Sequence, residues 1–343
     1  MHCCYLPLNT IIMTQTILIG KVISDGEPVS DVAVKLQDRP CYISGEDGTF
    51  EYLVPEQGFT IEKIERPGYK LISPALPFTS NASEAPLTIL MTRDESFSQR
   101  RLRKKAEELH EKALQLEENN KIKEAAQLFI DRSELDPDNV RWQYDTGRYF
   151  HYYKGYKVAQ SFYNRAIKKA EELYGEKNQW LAMCYEAYGD NYFEWNVYFE
   201  SGMGDENNTL HFADAKTYYQ QAGHFWYTLL SEQSTHVAQI YEKMGKCWKH
   251  LENATNAIAC YEKAYETYCA VYGENSRQVA NTYLGLIAAY FEQKDYDQTM
   301  VLLQKLLSVE KALDGETSDI YQKVLHQIDI LKRVMAQEAD TAR

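Results

Sequence analysis

One unit occurs twice in succession along this chain. The two copies begin at residues 235 and 277, so the period is 42 residues. The first copy ends in Tyr272-Gly-Glu-Asn-Ser276 and the second in Asp314-Gly-Glu-Thr-Ser318. A repeat of this length is a supersecondary unit that cannot bury its apolar face alone, and copies therefore stack against one another. A stacked array presents a long surface and encloses no chemical pocket, which favours binding over catalysis.

The region around these copies has the sequence pattern of helices. No proline follows Pro137, which permits long uninterrupted helices. Three more distant copies precede the pair, over about 104–137, 138–178 and 179–234. Small and aromatic residues mark their matching positions: Ala125 and Phe129 in the first, Gly147, Ala159 and Tyr163 in the second, and Gly189, Ala215 and Tyr219 in the third. Residues 319–336 carry apolar side chains every three to four positions, which predicts a helix that caps the last repeat.

These positions resemble the tetratricopeptide repeat, which places Trp, Leu-Gly and Tyr on a first helix and Ala, an aromatic residue and Pro on a second. The 42-residue spacing and the Tyr-Gly-Glu segment before the next first helix are similar to the kinesin light chain type. The resemblance implies an all-α superhelix of about five repeats plus a capping helix over residues 104–336, followed by a frayed tail at 337–343. Ile287 and Thr299 replace the Gly and Ala of the fifth repeat, which predicts looser packing there.

The third repeat carries an insertion between Tyr192 and Ala215. The additional segment, within residues 193–209, begins with aromatic residues at helical spacing and continues with glycine and asparagine. Insertions in repeats lie in loops on one face, which is often the binding face. Two interpretations stay open: the segment is a binding element, or it is an excursion that packs Trp195 and Tyr198 against the next repeat.

The part of the chain before the repeats has strand patterning over residues 14–92. Val32, Val34 and Leu36 alternate with polar or small neighbours, which is the period of a half-buried strand. Turn dipeptides such as Asp25-Gly26 separate short runs of β-branched residues. Short strands at close spacing predict a small β-sandwich, so the fold class is multidomain, with a β-sandwich followed by the all-α repeats.

Turn and core positions of this region resemble the carboxypeptidase regulatory-like, transthyretin-like family. The matching segments are Gly20-x-Val22, Asp25-Gly26-x-Pro28, Asp47-Gly48-x-Phe50 and Pro67-Gly68-Tyr69. The resemblance implies a non-catalytic module of a kind that is often extracytoplasmic. Residues 1–13 are predicted to be unstructured or misannotated, with Met13 as a candidate start, and the polar residues 93–103 are predicted to form a linker.

The resemblance to tetratricopeptide repeats also implies where a partner binds. First helices line the concave face in that family, and the candidates there mix charged and aromatic side chains, which suits an extended or helical peptide. They are Arg141, Tyr144, Arg148, His151 and Tyr152 in repeat two, Glu186, Asp190 and Phe193 in repeat three, Glu242, Lys246 and Lys249 in repeat four, and Leu284, Ala288 and Phe291 in repeat five. The alternative for each residue is a solvated helical face. The Lys/Asn/Arg clamp of chaperone-binding members is not found at matching positions, which disfavours chaperone tails as partners.

Composition and motifs exclude several other functions. The net charge of −13 disfavours nucleic acid, and the basic run Arg100–Lys105 precedes glutamates with which it is expected to pair. No run of 18 apolar residues occurs, so no membrane span is expected. The eight histidines lack zinc-site spacing, and no catalytic, phosphate-loop or dinucleotide motif is found. We therefore expect no enzyme activity, metal or cofactor.

Three hypotheses follow. The first is a cytoplasmic adaptor that binds a protein or peptide in the repeat groove and uses the sandwich as a second docking surface. An odd number of cysteines, seven, without a Cys-x-x-Cys pair favours the reducing compartment that this hypothesis needs. The alternative is an extracytoplasmic envelope-associated protein whose sandwich is a surface or carbohydrate-associated module. The third, an enzyme with a hidden active site, is supported only by the kinship of the sandwich to a peptidase accessory domain.

Overall fold

The computed structural model describes residues 15–55, 58–80, 86–200, 209–230 and 233–341. Over these residues the chain forms nine strands and then eleven helices. It divides into two compact units, of which the first contains Met1–Lys112 and Glu171–Gln179 and the second Ala113–Ala170 and Trp180–Arg343. The predicted unstructured segment 1–13 lies outside the described residues.

The first unit is built on two β-sheets. Its strands are β1 Gln15–Ser24, β2 Glu27–Pro28, β3 Ala33–Leu36, β4 Cys41–Ile43, β5 Thr49–Pro55, β6 Phe59–Glu65, β7 Tyr69–Ser73, β8 Phe78–Ser80 and β9 Leu87–Arg93. Strand β1 pairs antiparallel with β2 and β5 and parallel with β9, which pairs antiparallel with β7. The second sheet has the order β4-β3-β6-β8, with every pair antiparallel. This arrangement confirms the predicted β-sandwich followed by helices.

Alternation of apolar residues explains these strands. In β9, Ile89 and Met91 are buried while Leu90 between them is exposed, as the two-residue period of a strand requires. Gly48 closes the turn before β5 with a φ of 73°. A Cβ atom on Gly48 would lie 2.6 Å from the carbonyl oxygen of Val22, so only glycine fits this turn.

The edge of strand β4 is covered by residues of the first unit that lie far along the chain. The N–H of Cys41 donates to the carbonyl oxygen of Lys177 at 2.9 Å, and the N–H of Ile43 donates to Oε1 of Gln179 at 3.1 Å. An open sheet edge is a template for pairing with other chains. These bonds satisfy donors of β4 that such a chain would otherwise use.

The helices form pairs that match the predicted repeats. They are α1 Phe97–Glu118, α2 Ile122–Leu135, α3 Val140–Tyr152, α4 Tyr156–Tyr174, α5 Gln179–Glu200, α6 Thr209–Leu230, α7 Thr235–His250, α8 Ala254–Tyr272, α9 Arg277–Glu292, α10 Tyr296–Asp314 and α11 Asp319–Thr341. Five pairs followed by α11 confirm a solenoid of five repeats with a capping helix. Helix α11 continues beyond residue 336, where the repeat region was predicted to end. None of the described helices combines the length and the apolar character that a membrane span requires.

Helix α1 begins inside the predicted linker, seven residues before position 104. The reason is a reciprocal cap: the N–H of Gln99 donates to Oγ of Ser96 at 3.3 Å, and the N–H of Ser96 donates to Oε1 of Gln99 at 2.9 Å. Such a capping box satisfies two N–H groups that a helix start leaves unpaired. Within the basic run of this helix, Arg103 pairs with Glu107 at 2.7 Å, which is the expected spacing of one turn.

Glycine on a first helix lets an aromatic ring of the second helix approach closely. The pairs are Gly147–Tyr163, Gly189–Tyr219 and Gly245–Tyr261, in which an added Cβ would lie 2.6, 2.6 and 2.8 Å from the ring. Real carbon atoms do not approach so closely, so these positions require glycine. The same close packing of glycine against a tyrosine ring therefore recurs in repeats two, three and four.

The insertion of repeat three lengthens its two helices. Helix α5 continues to Glu200, and residues 201–208, with their predicted loop, lie outside the described residues. The Trp195 ring stacks 6.1 Å from Tyr156 of α4 and 5.1 Å from His211 of α6, and Tyr198 lies 6.2 Å from Tyr156. Both aromatic side chains thus pack against the preceding repeat, whereas the excursion interpretation placed them against the next one.

Candidate functional site

All predicted binding residues lie on α3, α5, α7 and α9, the first helices of repeats two to five. We call the surface formed by these residues the first-helix face. Side-chain contacts link its neighbouring helices: His151 of α3 bonds to Glu194 of α5, and Lys243 of α7 bonds to Glu186 of α5. The face is therefore continuous over repeats two to four, and α9 adjoins α7 beyond them.

At α3 the face combines aromatic rings with arginine. The Arg141 guanidinium lies 5.4 Å from the Trp180 ring, and the Tyr144 ring lies 5.6 Å from the same indole. The Arg148 guanidinium lies 5.9 Å from the Tyr144 ring, within the range of a cation–π contact. Burial raises the pKa of Tyr144, so its hydroxyl is neutral at physiological pH. Arg148 itself is exposed.

The carboxyl-terminal end of α3 carries one hydrogen-bonded side chain and one that is largely exposed. Nε2 of His151 lies 2.9 Å from Oε2 of Glu194, and this hydrogen bond lowers the pKa of the Glu194 carboxyl below its ordinary value. Tyr152, in contrast, is 76 % exposed. An aromatic side chain with so much free area is available to a partner.

The two carboxylates of α5 are held by other residues of the second unit. Nζ of Lys243 donates to Oε1 of Glu186 at 2.7 Å and to Oδ2 of Asp190 at 2.9 Å. The indole N–H of Trp226 donates to Oε2 of Glu186 at 2.9 Å, and the Tyr219 hydroxyl donates to Oδ1 of Asp190 at 2.7 Å. Glu186 and Asp190 therefore form the framework of the face and bind its neighbouring helices together.

Lys243 is a central residue that sequence analysis missed. Burial alone would lower its pKa, but the Asp190 and Glu186 carboxylates together outweigh burial and raise the pKa above 10.5. The ammonium group is therefore charged at all physiological pH values. Two sequence features indicated Lys243 only weakly. It is next to the predicted Glu242, and it lies on the first helix of the repeat that follows Glu186 and Asp190.

The predicted binding residues of repeat four also include both a hydrogen-bonded side chain and exposed ones. Glu242 accepts a hydrogen bond from the Tyr268 hydroxyl at 3.4 Å and pairs with Lys246 at 2.8 Å. Lys246 and Lys249 are exposed. The neighbouring repeat-three residue Phe193 is half-buried, and its ring lies 5.3 Å from Phe212 and 5.5 Å from His250.

The α9 end of the face is apolar. Leu284 is 44 % exposed and Phe291 is 46 % exposed, and Ala288 lies between them on the helix. The predicted residues that stay exposed are therefore Arg148, Tyr152, Lys246, Lys249, Leu284 and Phe291. They offer cationic, aromatic and aliphatic contacts. Within the described ranges, no three His, Cys, Asp or Glu side chains are grouped so that they could hold a metal ion.

Comparison with known proteins shows what part of the helical region is similar to. Residues 236–312, from α7 into α10, match the sequence profile of the tetratricopeptide repeat family. One curated relative, the clustered mitochondria protein homolog of Candida albicans, is 32 % identical over 77 residues, which is 22 % of this chain. The match spans only 6 % of that relative's length. The family match and the helix pairs support a protein-interaction scaffold as the general class.

Three solved structures are among those to which this chain is similar. BtubC from P. vanneervenii is 20 % identical, with 72 % of this chain and 88 % of BtubC covered, at a TM-score of 0.48. A putative kinesin light chain from Podosopora anserina with nearly identical repeats is 9 % identical. The match covers 60 % of this chain and 90 % of the other, and its TM-score is also 0.48. YrrB, a tetratricopeptide repeat protein with an unusual peptide-binding site, is 15 % identical. The match covers 64 % of this chain and 89 % of YrrB, at a TM-score of 0.41.

Proposed function

We propose that this protein is a non-catalytic adaptor that binds an extended peptide or a partner helix on its first-helix face. The proposal rests on the contrast between two groups of side chains on that face. Its acidic residues Glu186 and Asp190 are hydrogen-bonded to other helices, while large cationic and aromatic side chains of the same first helices or their neighbours in the repeat order are exposed. Arg and Tyr are enriched among the residues that dominate binding energy at protein interfaces.

The chemistry of the exposed residues suits a peptide better than a small substrate. Tyr152 offers a broad apolar ring with a polar tip, and Leu284 and Phe291 offer apolar area on α9. Residues spread over several repeats reach along an extended ligand, as helix-in-groove and extended-peptide recognition require. No cofactor is needed for such binding.

The experiment compares capture of specific partners by the full chain and by an Arg148→Ala/Lys246→Ala variant. We expect the variant to lose its partners, because it removes two exposed cations of the first-helix face. The matched control is Lys168→Ala/Lys305→Ala, which removes two exposed cations from the second helices α4 and α10. If the first-helix variant retains every partner that the control retains, the face is not the binding surface.

We further propose that the β-sandwich is a second, non-catalytic docking module of the carboxypeptidase regulatory-like type. The positive φ values of Gly26, Gly48 and Gly68 support this proposal, because these glycines are turn positions of the resemblance. Substituting exposed residues of the outer sheet face, such as Ile72 (61 % exposed), tests whether the sandwich contributes a partner of its own. Partner capture that is unchanged by such variants would contradict a docking role.

We propose a cytoplasmic location for the adaptor. The thiols of Cys41, Cys184 and Cys247 are buried and form no disulfide, and reduced thiols are typical of proteins in reducing compartments. Cell fractionation with mass spectrometry of the amino terminus tests the proposal. A processed protein found only outside the cytoplasm would favour the envelope-associated alternative instead.

A further inference from the structure

The first turns of α1 are exposed on every side. Each residue from Ser96 to Leu102 is exposed, and Phe97 is 84 % exposed. Ala106 is the first residue of this helix that is buried. The reciprocal cap between Ser96 and Gln99 satisfies the N–H groups of the helix start, so the helix forms here without burying its side chains. The start of α1 is therefore an accessible, convex surface that carries an apolar ring.

Unpaired cations surround this ring. Four basic residues of these turns are exposed and form no ion pair with a described side chain, and we call them the α1 basic cluster: Arg100, Arg101, Lys104 and Lys105. The pairing that was expected with acidic neighbours occurs at Arg103, which binds Glu107 within the helix and Glu95 before it. The remaining charge of the basic run is therefore available to a partner.

The arrangement of these cations is unfavourable for the isolated protein. Between Arg93 and Ala106 the chain has six cationic and two acidic residues, so the local net charge is +4 in a chain whose net charge is −13. The first turn of α1 contains no acidic residue, although the positive end of a helix dipole favours one there. Within the cluster, like charges recur four residues apart, which destabilises a helix. An anionic partner would relieve both effects.

We propose that the α1 basic cluster and Phe97 bind the surface of an anionic lipid bilayer. Four or more Lys and Arg residues on a helix attract anionic headgroups. Successive residues of a helix are about 100° apart, which brings Phe97, Arg101 and Lys104 within about 60° of one another around α1. The aromatic ring can then enter the boundary between headgroups and acyl chains while its neighbours contact the headgroups.

The shape of the site favours a membrane over other anionic partners. A single strand of nucleic acid is bound in a charged groove with several rings on which its bases stack, whereas α1 is convex here and Phe97 is the one aromatic residue among its side chains. A stable protein interface needs a core of several packed apolar residues. A bilayer is broad and flat, so it fits a convex helix end that carries dispersed charge and a single ring.

The expected affinity is modest and reversible. Each Lys or Arg at an anionic surface strengthens binding about fivefold, so the cluster and the ring together suit recruitment from solution. This inference goes beyond the proposed function, because it concerns the first unit and assigns nothing to the first-helix face. It adds a site at which the adaptor is held on a membrane.

The first experiment measures co-sedimentation of the full chain with vesicles of phosphatidylcholine and phosphatidylserine in a two-to-one ratio, and with phosphatidylcholine alone. We expect binding to the anionic vesicles, and its loss at about 1 M salt, where the Debye length is about 3 Å. Arg100→Gln/Arg101→Gln should weaken binding at least tenfold and Phe97→Ala about tenfold, whereas Arg100→Lys/Arg101→Lys should retain most of it. The matched control, Lys168→Gln/Lys305→Gln, removes two exposed cations elsewhere and should bind as the wild type does.

A second experiment tests whether position 97 enters the bilayer. Phe97→Trp adds an indole to the five tryptophans of the chain. On anionic vesicles whose acyl chains are brominated, we expect the fluorescence of this variant to be quenched more than that of the wild type. Equal quenching of the two proteins would overturn insertion of the ring.

Several results would overturn the proposal as a whole. They are equal binding to both kinds of vesicle, wild-type binding by Arg100→Gln/Arg101→Gln, and tighter binding to a single-stranded oligonucleotide than to anionic vesicles at equal phosphate concentration. Loss of a captured protein from the cluster variant, without any vesicle binding by the wild type, would assign the cluster to a protein partner instead. Arg148→Ala/Lys246→Ala should bind vesicles as the wild type does, so failure of the membrane site and failure of the first-helix face are distinguishable.

Discussion

The network around Lys243 makes the sharpest prediction about stability. Replacement of Lys243 by Met keeps most of the apolar stem but removes the ammonium group that donates to Glu186 at 2.7 Å and to Asp190 at 2.9 Å. Two carboxylates then remain at the face without their shared cation. We expect the second unit to be destabilised, because these groups lose their partner without regaining full hydration.

The magnitude follows from the exposure of the three side chains. Lys243 is 25 % exposed, Glu186 is 18 % exposed and Asp190 is 31 % exposed. Breaking a fully buried ion pair costs about 3–5 kcal/mol, whereas fully exposed pairs contribute about 0–1 kcal/mol. This network lies between the two limits, so we expect a loss of about 2 kcal/mol. For a unit of this size the loss corresponds to a fall of about 4–8 °C in the melting temperature.

The assay is denaturant and thermal unfolding of the wild type, Lys243→Met and the triple variant Lys243→Met/Glu186→Gln/Asp190→Asn. The triple variant removes the unpaired charges but keeps acceptors for Trp226 and Tyr219, so it should recover more than half of the loss. Lys246→Met on the same helix is the matched control and should change stability by less than about 0.5 kcal/mol. A loss of that small size in Lys243→Met, or a triple variant as unstable as the single one, would refute the reasoning.

The pH dependence gives an independent check of the same network. The folded-state pKa of Lys243 is raised above 10.5, so the cation's stabilising contribution is fully present below that value and is lost as the pH rises through the folded pKa. The difference in unfolding free energy between wild type and Lys243→Met should therefore be constant from neutral pH to mildly basic pH and then shrink. A difference that grows above pH 10.5 would contradict the assignment.

Three further predictions concern other parts of the molecule. Gly189→Ala should destabilise the protein by about 1–3 kcal/mol in denaturant unfolding, because its Cβ would lie 2.6 Å from the Tyr219 ring. A variant as stable as the wild type would show that the space between this position and the Tyr219 ring accommodates a methyl group. The hydrogen bond from His151 lowers the pKa of Glu194 below 4.5, so its contribution is present above that pH and is lost as the pH falls through the folded pKa. Unfolding midpoints of wild type and Glu194→Gln should therefore converge in acid, and a constant gap would argue against the pair. Burial raises the pKa of the Cys41 thiol to about 11, so we expect mass spectrometry to find Cys41 unlabelled by iodoacetamide at neutral pH until denaturant is added, and rapid native labelling would be inconsistent with its buried position.

Local patterns in the sequence predicted the helix pairs because their determinants are close together in the chain. Glycine on a first helix and tyrosine on the second, as in Gly245 and Tyr261, recur with the repeat and fix how the two helices of a pair pack. The start of α1 was also encoded locally, by Ser96 and Gln99, but the polar segment around them was interpreted as a linker. Helix α1 therefore begins within the residues that were predicted to form a linker.

The repeat pattern alone was sufficient to predict the succession of helix pairs, because its determinants lie close together along the chain. Which of the predicted binding residues are held by other side chains and which are exposed follows from the contacts between repeats. Lys243 and Asp190 are 53 residues apart, yet their side chains meet at 2.9 Å, whereas Arg148 has no such partner among the described residues. Contacts of this kind depend on how neighbouring repeats pack, which no short-range pattern specifies.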